Sequence, residues 1–189
     1  MRCQSRFSDV TKTYLNTFYG ILDEMIQGMT SAELSHSISY NFIVQMIPHH
    51  RAAIEMSKNI LKYTTNVSLQ DIASNIITSQ TKSIEDMEAV VCSCKELTSF
   101  EPDLLLYQRR IEQIMKRMFH AMGTAPSVND INQNFMREMI PHHKGAIEMS
   151  KNALHYDVCP QLKPILDSII ISQQEGVLKM ERLLKCMRC

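Results

Sequence analysis

Residues 41–63 read NFIVQMIPHHRAAIEMSKNILKY, and residues 134–156 read NFMREMIPHHKGAIEMSKNALHY. Sixteen of these 23 positions are identical at a constant offset of 93 residues. A period of that size, kept across a chain of 189 residues, marks an internal duplication. The stretch is also helical by pattern. On a 3.6-residue period Phe42, Met46, His49, Ala53, Met56 and Ile60 fall within about 80° of one another, with His50 beside them. Arg51, Glu55, Asn41 and Asn59 lie on the opposite side, so both histidines are expected on the buried face and Glu55 in solvent. Pro48 and Pro141 stand where the helical pattern continues on both sides. Each removes the hydrogen bond to the carbonyl four residues back, Val44 or Arg137, and predicts a kink just before the histidine pair.

Outward from the motif, helical periodicity dominates and strand alternation is hard to find. Residues 7–29 carry Phe7, Val10, Tyr14, Phe18, Leu22, Met25 and Met29 three or four apart. Thr30-Ser31-Ala32-Glu33 resembles a capping box opening a second helix that runs to about Tyr63. Thr64-Thr65-Asn66 makes a turn, and Ser68 with Asp71 caps a third helix to about Leu97. Glu101-Pro102-Asp103 opens a fourth helix that ends near Gly123. A fifth carries the second motif to about Tyr156, and Cys159-Pro160 starts a sixth. The expected fold is all-α: an antiparallel helical bundle built from two three-helix repeats, 7–97 and 102–189, with pseudo-two-fold symmetry. No low-complexity linker separates the repeats, so residues 1–189 are expected to form a single compact domain.

Composition narrows the function classes. Lys plus Arg and Asp plus Glu balance at 20 each, which predicts no broad electrostatic footprint for nucleic acid. No apolar run reaches the roughly 20 residues of a membrane span. The first residues, MRCQSRFSDVTKTYLNTF, lack an apolar signal core. If residue 1 is the true start, a cytoplasmic chain is expected; a trimmed export signal would reverse that. Fourteen methionines and no tryptophan are the outstanding feature, and methionine is both an adaptable core filler and a soft thioether ligand.

The duplication reaches those methionines. Met25 pairs with Met118, Met29 with Met122, Met46 with Met139, Met56 with Met149 and Met87 with Met180. Leucine or isoleucine would fill most core positions equally well, so retention of methionine at five paired positions points towards a site. Gln80 and Gln173 also match, as groups of the third and sixth helices that face the histidine pair or cap a polar gap in the core.

The Met-Ile-Pro-His-His-x-x-Ala-Ile-x-Met run, with paired methionines before it and Gln-x-x-x-(Ile/Val)-x-x-Met after it, resembles the domain of unknown function 305 family. The resemblance covers nearly the whole chain as two tandem copies. It implies a ferritin-like helical fold and, from copper-associated members, His and Met ligands for copper. Some of those members are exported. Carried onto this chain, the implied metal ligands are His49, His50, Met46 and Met56, with His142, His143, Met139 and Met149. Met25, Met29, Met118 and Met122 are implied as secondary ligands. The chain departs from the family pattern where an acidic residue is expected three positions after Gln80 and Gln173. Ser83 and Gly176 stand there instead, and the usual tryptophan is absent.

Imidazole with thioether is a soft donor set suited to Cu(I) and Ag(I), and poorly suited to Mg, Ca or Mn. A di-iron centre needs two Glu-x-x-His pairs. Glu33-Leu-Ser-His36 is the one such run, and its repeat partners are Pro126 and Asn129. The sequence also holds no Gly-rich phosphate loop, dinucleotide fingerprint or nucleophile–base set. The expectation is a soft-metal protein for copper binding, storage or resistance, with Cu(I) the expected cargo and no catalytic residues. Two other readings stand beside it: a structural or interaction module with hydrogen-bonded core histidines, and a metal-dependent redox enzyme. Cys92, Cys94, Cys186 and Cys189 close the third and sixth helices and read as surface thiols, or as a thiolate hand-off point. Cys3 and Cys159 carry no readable message, and His36, His120 and His155 read as surface or boundary residues.

Overall fold

The computed structural model describes residues 7–187, and among them there are six helices and no strand. They are α1 (Asp9–Thr30), α2 (Ile38–Leu61), α3 (Val67–Glu96), α4 (Glu101–Gly123), α5 (Ile131–Ala153) and α6 (Lys163–Cys186). Four have side-chain N-caps in which an oxygen accepts an orphan backbone N–H: Ser8, Ser37, Asn66 and Asp130. The other two, α4 and α6, instead place Pro102 and Pro164 in their first turns, where the missing N–H costs nothing.

Three helix starts differ from the sequence reading. The run at 30–33 does not open α2, because α1 continues through Thr30 and the helix resumes only at Ile38. Ser37 wins because its hydroxyl accepts from Tyr40 N–H and donates to the Cys94 carbonyl at 2.6 Å. Likewise Asn66 caps α3 rather than Ser68, and α6 begins at Lys163, after the Cys159-Pro160 pair. Both motif helices run unbroken through their internal prolines.

Within each half the middle helix is the axis: α2 packs on α1 and α3, and α5 packs on α4 and α6. The halves meet through α2 on α5, α3 on α6 and α1 on α4. The start of α2 lies beside the end of α5, where Ser39 Oγ accepts from Cys159 N–H at 2.8 Å, so the two motif helices run antiparallel. Corresponding bonds recur in both halves. Asn41 clamps the Ser35 backbone through both its amide atoms, and Asn134 does the same to Val128. Asn59 donates to the Tyr14 carbonyl and Asn152 to that of Tyr107. The motif asparagines are therefore buried, where the helical wheel put Asn41 and Asn59 on the outer side. That side of α2 is covered by α1, and the asparagines satisfy loop and helix backbone there.

Twelve of the thirteen methionines among the described residues are buried, and they line the core from all six helices. No helix among the described residues is long and apolar enough to cross a membrane.

Candidate metal centre

The four motif histidines come together where α2 crosses α5. His49 and His142 stack across that crossing with ring centroids 3.6 Å apart and planes inclined by 28°. His50 and His143 flank them, each 5.8 Å from its sequence neighbour. All four are at most 2% exposed. Their placement follows from helical spacing: adjacent residues diverge by 100°, so one histidine of each pair faces the opposing motif helix and the other faces the third helix of its own repeat.

Burial dominates their protonation. Desolvation lowers the pKa of His49 and His143 well below the usual value, assisted by the neighbouring rings. It brings His50 down to about 3 and His142 down to about 4. All four rings are neutral at pH 7, so each carries one N–H and one lone pair. His142 Nε2 lies 3.1 Å from the His49 carbonyl oxygen, which can only accept. That bond places the proton on Nε2 and leaves the His142 Nδ1 lone pair free. His50 Nε2 lies 3.1 Å from Ser83 Oγ. Both nitrogens of His49, and Nδ1 of His50, His142 and His143, are buried with no hydrogen-bond partner in the protein.

This is not a closed coordination sphere. Lone pairs lie in the ring planes, so two stacked imidazoles cannot both aim at a point between their faces. Among the described residues no three His, Cys, Asp or Glu side chains converge as a metal-binding group. Thioethers have to complete any site. Met46 and Met139 stand one turn before the histidines and Met56 and Met149 two turns after His49 and His142, and all four are 2% exposed or less. The outer methionines are placed differently. Met25 lines a small cavity with Pro48, Arg51, Ala52 and Glu55, and Met118 lines its counterpart with Pro141, Lys144, Gly145 and Glu148. These cavities lie on the opposite face of the motif helices from the histidines. Met29 and Met122 are fully buried on the same helices as Met25 and Met118.

Two cavities of 440 and 380 Å³ lie between α3 and α6 and reach the outer histidines. The first is lined by His143 and Gly176, the second by His50 and Ser83, and Gln80 and Gln173 line both. The Oε1 atoms of both glutamines are buried without a partner.

Three features escaped the sequence reading. Glu138 is buried inside the second motif and accepts from Tyr14 O–H at 2.7 Å. Desolvation raises its carboxyl to about 8, against the opposing hydrogen bond. The only trace in sequence was that the first motif has Gln45 at the equivalent position. Cys94 is not a surface thiol: it is fully buried at the end of α3, in contact with the thiol of Cys159, and burial pushes it up to about 12. Cys92 and Cys186 are exposed, as expected, and Cys3 and Cys189 lie outside the described residues. His36, His120 and His155 are exposed.

Comparison with solved structures returns the same architecture. A DUF305 fragment from Deinococcus radiodurans is 23% identical, with 78% of this chain and 95% of that chain covered and a TM-score of 0.58. CopM in an Ag-bound form is 26% identical over 78% of this chain and 94% of that chain, with a TM-score of 0.58. CopM in a Cu(II)-bound form is 24% identical over 79% and 97%, with a TM-score of 0.60. No curated protein matches. The family model described as a domain of unknown function, DUF305, matches residues 21–91 and 39–184, and together these matches span most of the chain. The protein belongs to the DUF305 family.

Proposed function

We propose that this protein binds a soft monovalent cation, Cu(I) or Ag(I), within the α2–α5 crossing, and that it serves storage or resistance rather than catalysis. The observation that carries the reading is the set of five unpartnered ring nitrogens on four buried, neutral histidines. Histidines kept only to stabilise a core are hydrogen-bonded, because an orphaned buried polar atom costs about 1–3 kcal/mol. Five such atoms in one cluster argue against the purely structural reading, and because each neutral ring keeps one lone pair, at most four of the five are open to a cation.

The donor set favours low charge. His49, His50, His142 and His143, with Met46, Met56, Met139 and Met149, are all neutral donors. Glu138 is the one buried carboxyl among the described residues, and it is held protonated at pH 7. The cost of burying an uncompensated ion grows with the square of its charge, so a divalent ion would suffer about four times the desolvation penalty of a monovalent one. Imidazole and thioether also prefer d¹⁰ cations by softness. Met25, Met29, Met118 and Met122 would act behind this set as packing that fixes the motif helices. At family level the comparison supports metal binding without deciding the charge of the ion, since the related CopM has been solved with Ag and with Cu(II).

An anaerobic Cu(I) titration against a chromophoric chelator tests the proposal, comparing wild type with His49→Ala/His50→Ala and His142→Ala/His143→Ala. Tight uptake that each double substitution weakens by at least ten-fold supports it. Equally weak uptake by all three proteins overturns it.

A further inference from the structure

The two repeats close differently over their outer histidines. Ser83 and Gly176 occupy equivalent positions on α3 and α6. In the first repeat the Ser83 hydroxyl sits 3.1 Å from His50 Nε2 and occupies that nitrogen. In the second repeat there is no side chain to do so. A Cβ added at Gly176 would lie 2.7 Å from His143 Cδ2 and 2.9 Å from Nε2, so glycine alone leaves that ring edge uncovered. His143 Nε2 has no hydrogen-bond partner among the described residues, and its ring lines the 440 Å³ cavity.

We infer that a soft cation enters the bundle through the α3–α6 groove at His143, so that the second repeat loads before the first and Ser83 gates His50. This rests on the soft-metal reading for its ligand, although the asymmetry of access does not. A hydrated cation must exchange its waters one at a time for protein donors. Gln80 and Gln173 line both cavities, and an amide carbonyl oxygen is a donor that can replace water before the imidazole does. At His143 the next donor is an open nitrogen. At His50 a hydrogen bond has to be broken first, and its net worth biases the two sites by roughly two- to ten-fold.

Diethyl pyrocarbonate, which acylates accessible neutral imidazole, reads the gate without metal. Peptide mass spectrometry of the full chain should find His143 modified at least several-fold faster than His49, His50 or His142. Ser83→Ala should raise the His50 rate to that of His143, and Gly176→Ala should suppress His143, with circular dichroism verifying that both variants stay helical. Equal rates for His50 and His143 in wild type, or no response of His50 to Ser83→Ala, overturn the inference. In a second arm, substoichiometric Ag(I) is added to protein with ¹⁵N-labelled histidine. The His142 and His143 signals should move first in wild type, and the two pairs together in Ser83→Ala. First-repeat signals moving first defeat the loading order alone. No shift at any histidine defeats the soft-metal reading and the loading order with it.

Discussion

Glu138→Gln isolates one buried group whose effect on stability is readable as a function of pH. The carboxyl is 4% exposed and holds its proton to about pH 8, whereas in the unfolded chain it releases it near 4.5. Between those values the folded state binds more protons than the unfolded one, so stability falls as pH rises. At about 1.4 kcal/mol per pKa unit, the cost reaches about 3 kcal/mol at pH 7 and levels off near 5 kcal/mol above pH 8. Glutamine has no proton to hold, keeps a carbonyl acceptor for Tyr14 O–H, and is already the residue at position 45 in the first repeat. The variant should match wild type at pH 4.5 and exceed it by about 3 kcal/mol at pH 7. Urea denaturation followed by far-ultraviolet circular dichroism at pH 4.5, 6, 7 and 8 measures the difference, provided the m-values agree. A difference that stays constant across that range refutes the argument, because it would place the effect in packing instead of ionisation.

Acid should unfold the metal-free protein for the opposite reason. The histidines have folded pKa values below the ordinary 6.5, so stability is lost as pH falls from 6.5 towards about 4 for His142 and about 3 for His50. The loss is about 2 kcal/mol for each of His50 and His142 at pH 5, readable in thermal melts at pH 7, 6 and 5. Gly145→Ala should destabilise by about 1–3 kcal/mol in chemical denaturation. Its Cβ would fall 2.1 Å from Met118 Sδ and 2.7 Å from Cγ, although the first repeat carries Ala52 at the same position. Iodoacetamide at neutral pH should label Cys92 and Cys186 in the folded protein and spare Cys94 and Cys159, as counted by peptide mass spectrometry.

The motif and its offset of 93 made the helices, their division into two threes and the inward aim of the histidines legible, because helical period and duplication are both local facts of sequence. What stayed hidden depends on contacts between distant segments. The Ser37 cap forms partly because the Cys94 carbonyl arrives from 57 residues away. The outer face of α2 reads as solvent-exposed until α1 covers it, which is why Asn59 was misplaced. Cys159 had no meaning alone and acquires one only beside Cys94. The stack of His49 on His142 lies at the same level: spacing shows that each ring faces inward, but not that they meet face to face with their lone pairs diverging.

A pseudo-symmetric bundle made from one chain differs from a true dimer of half-length chains in what a single substitution can do. In a symmetric dimer every change appears twice, on both sides of the axis, and a residue that helps one half is imposed on the other. Joining the halves through residues 97–100 removes that coupling. Glu138 can meet Tyr14 while Gln45 keeps the amide, and Ser83 can cover one ring while Gly176 exposes the other. Tandem fusion thus frees two once-equivalent halves to drift apart in chemistry, so that one half can change without the same change being imposed on the other.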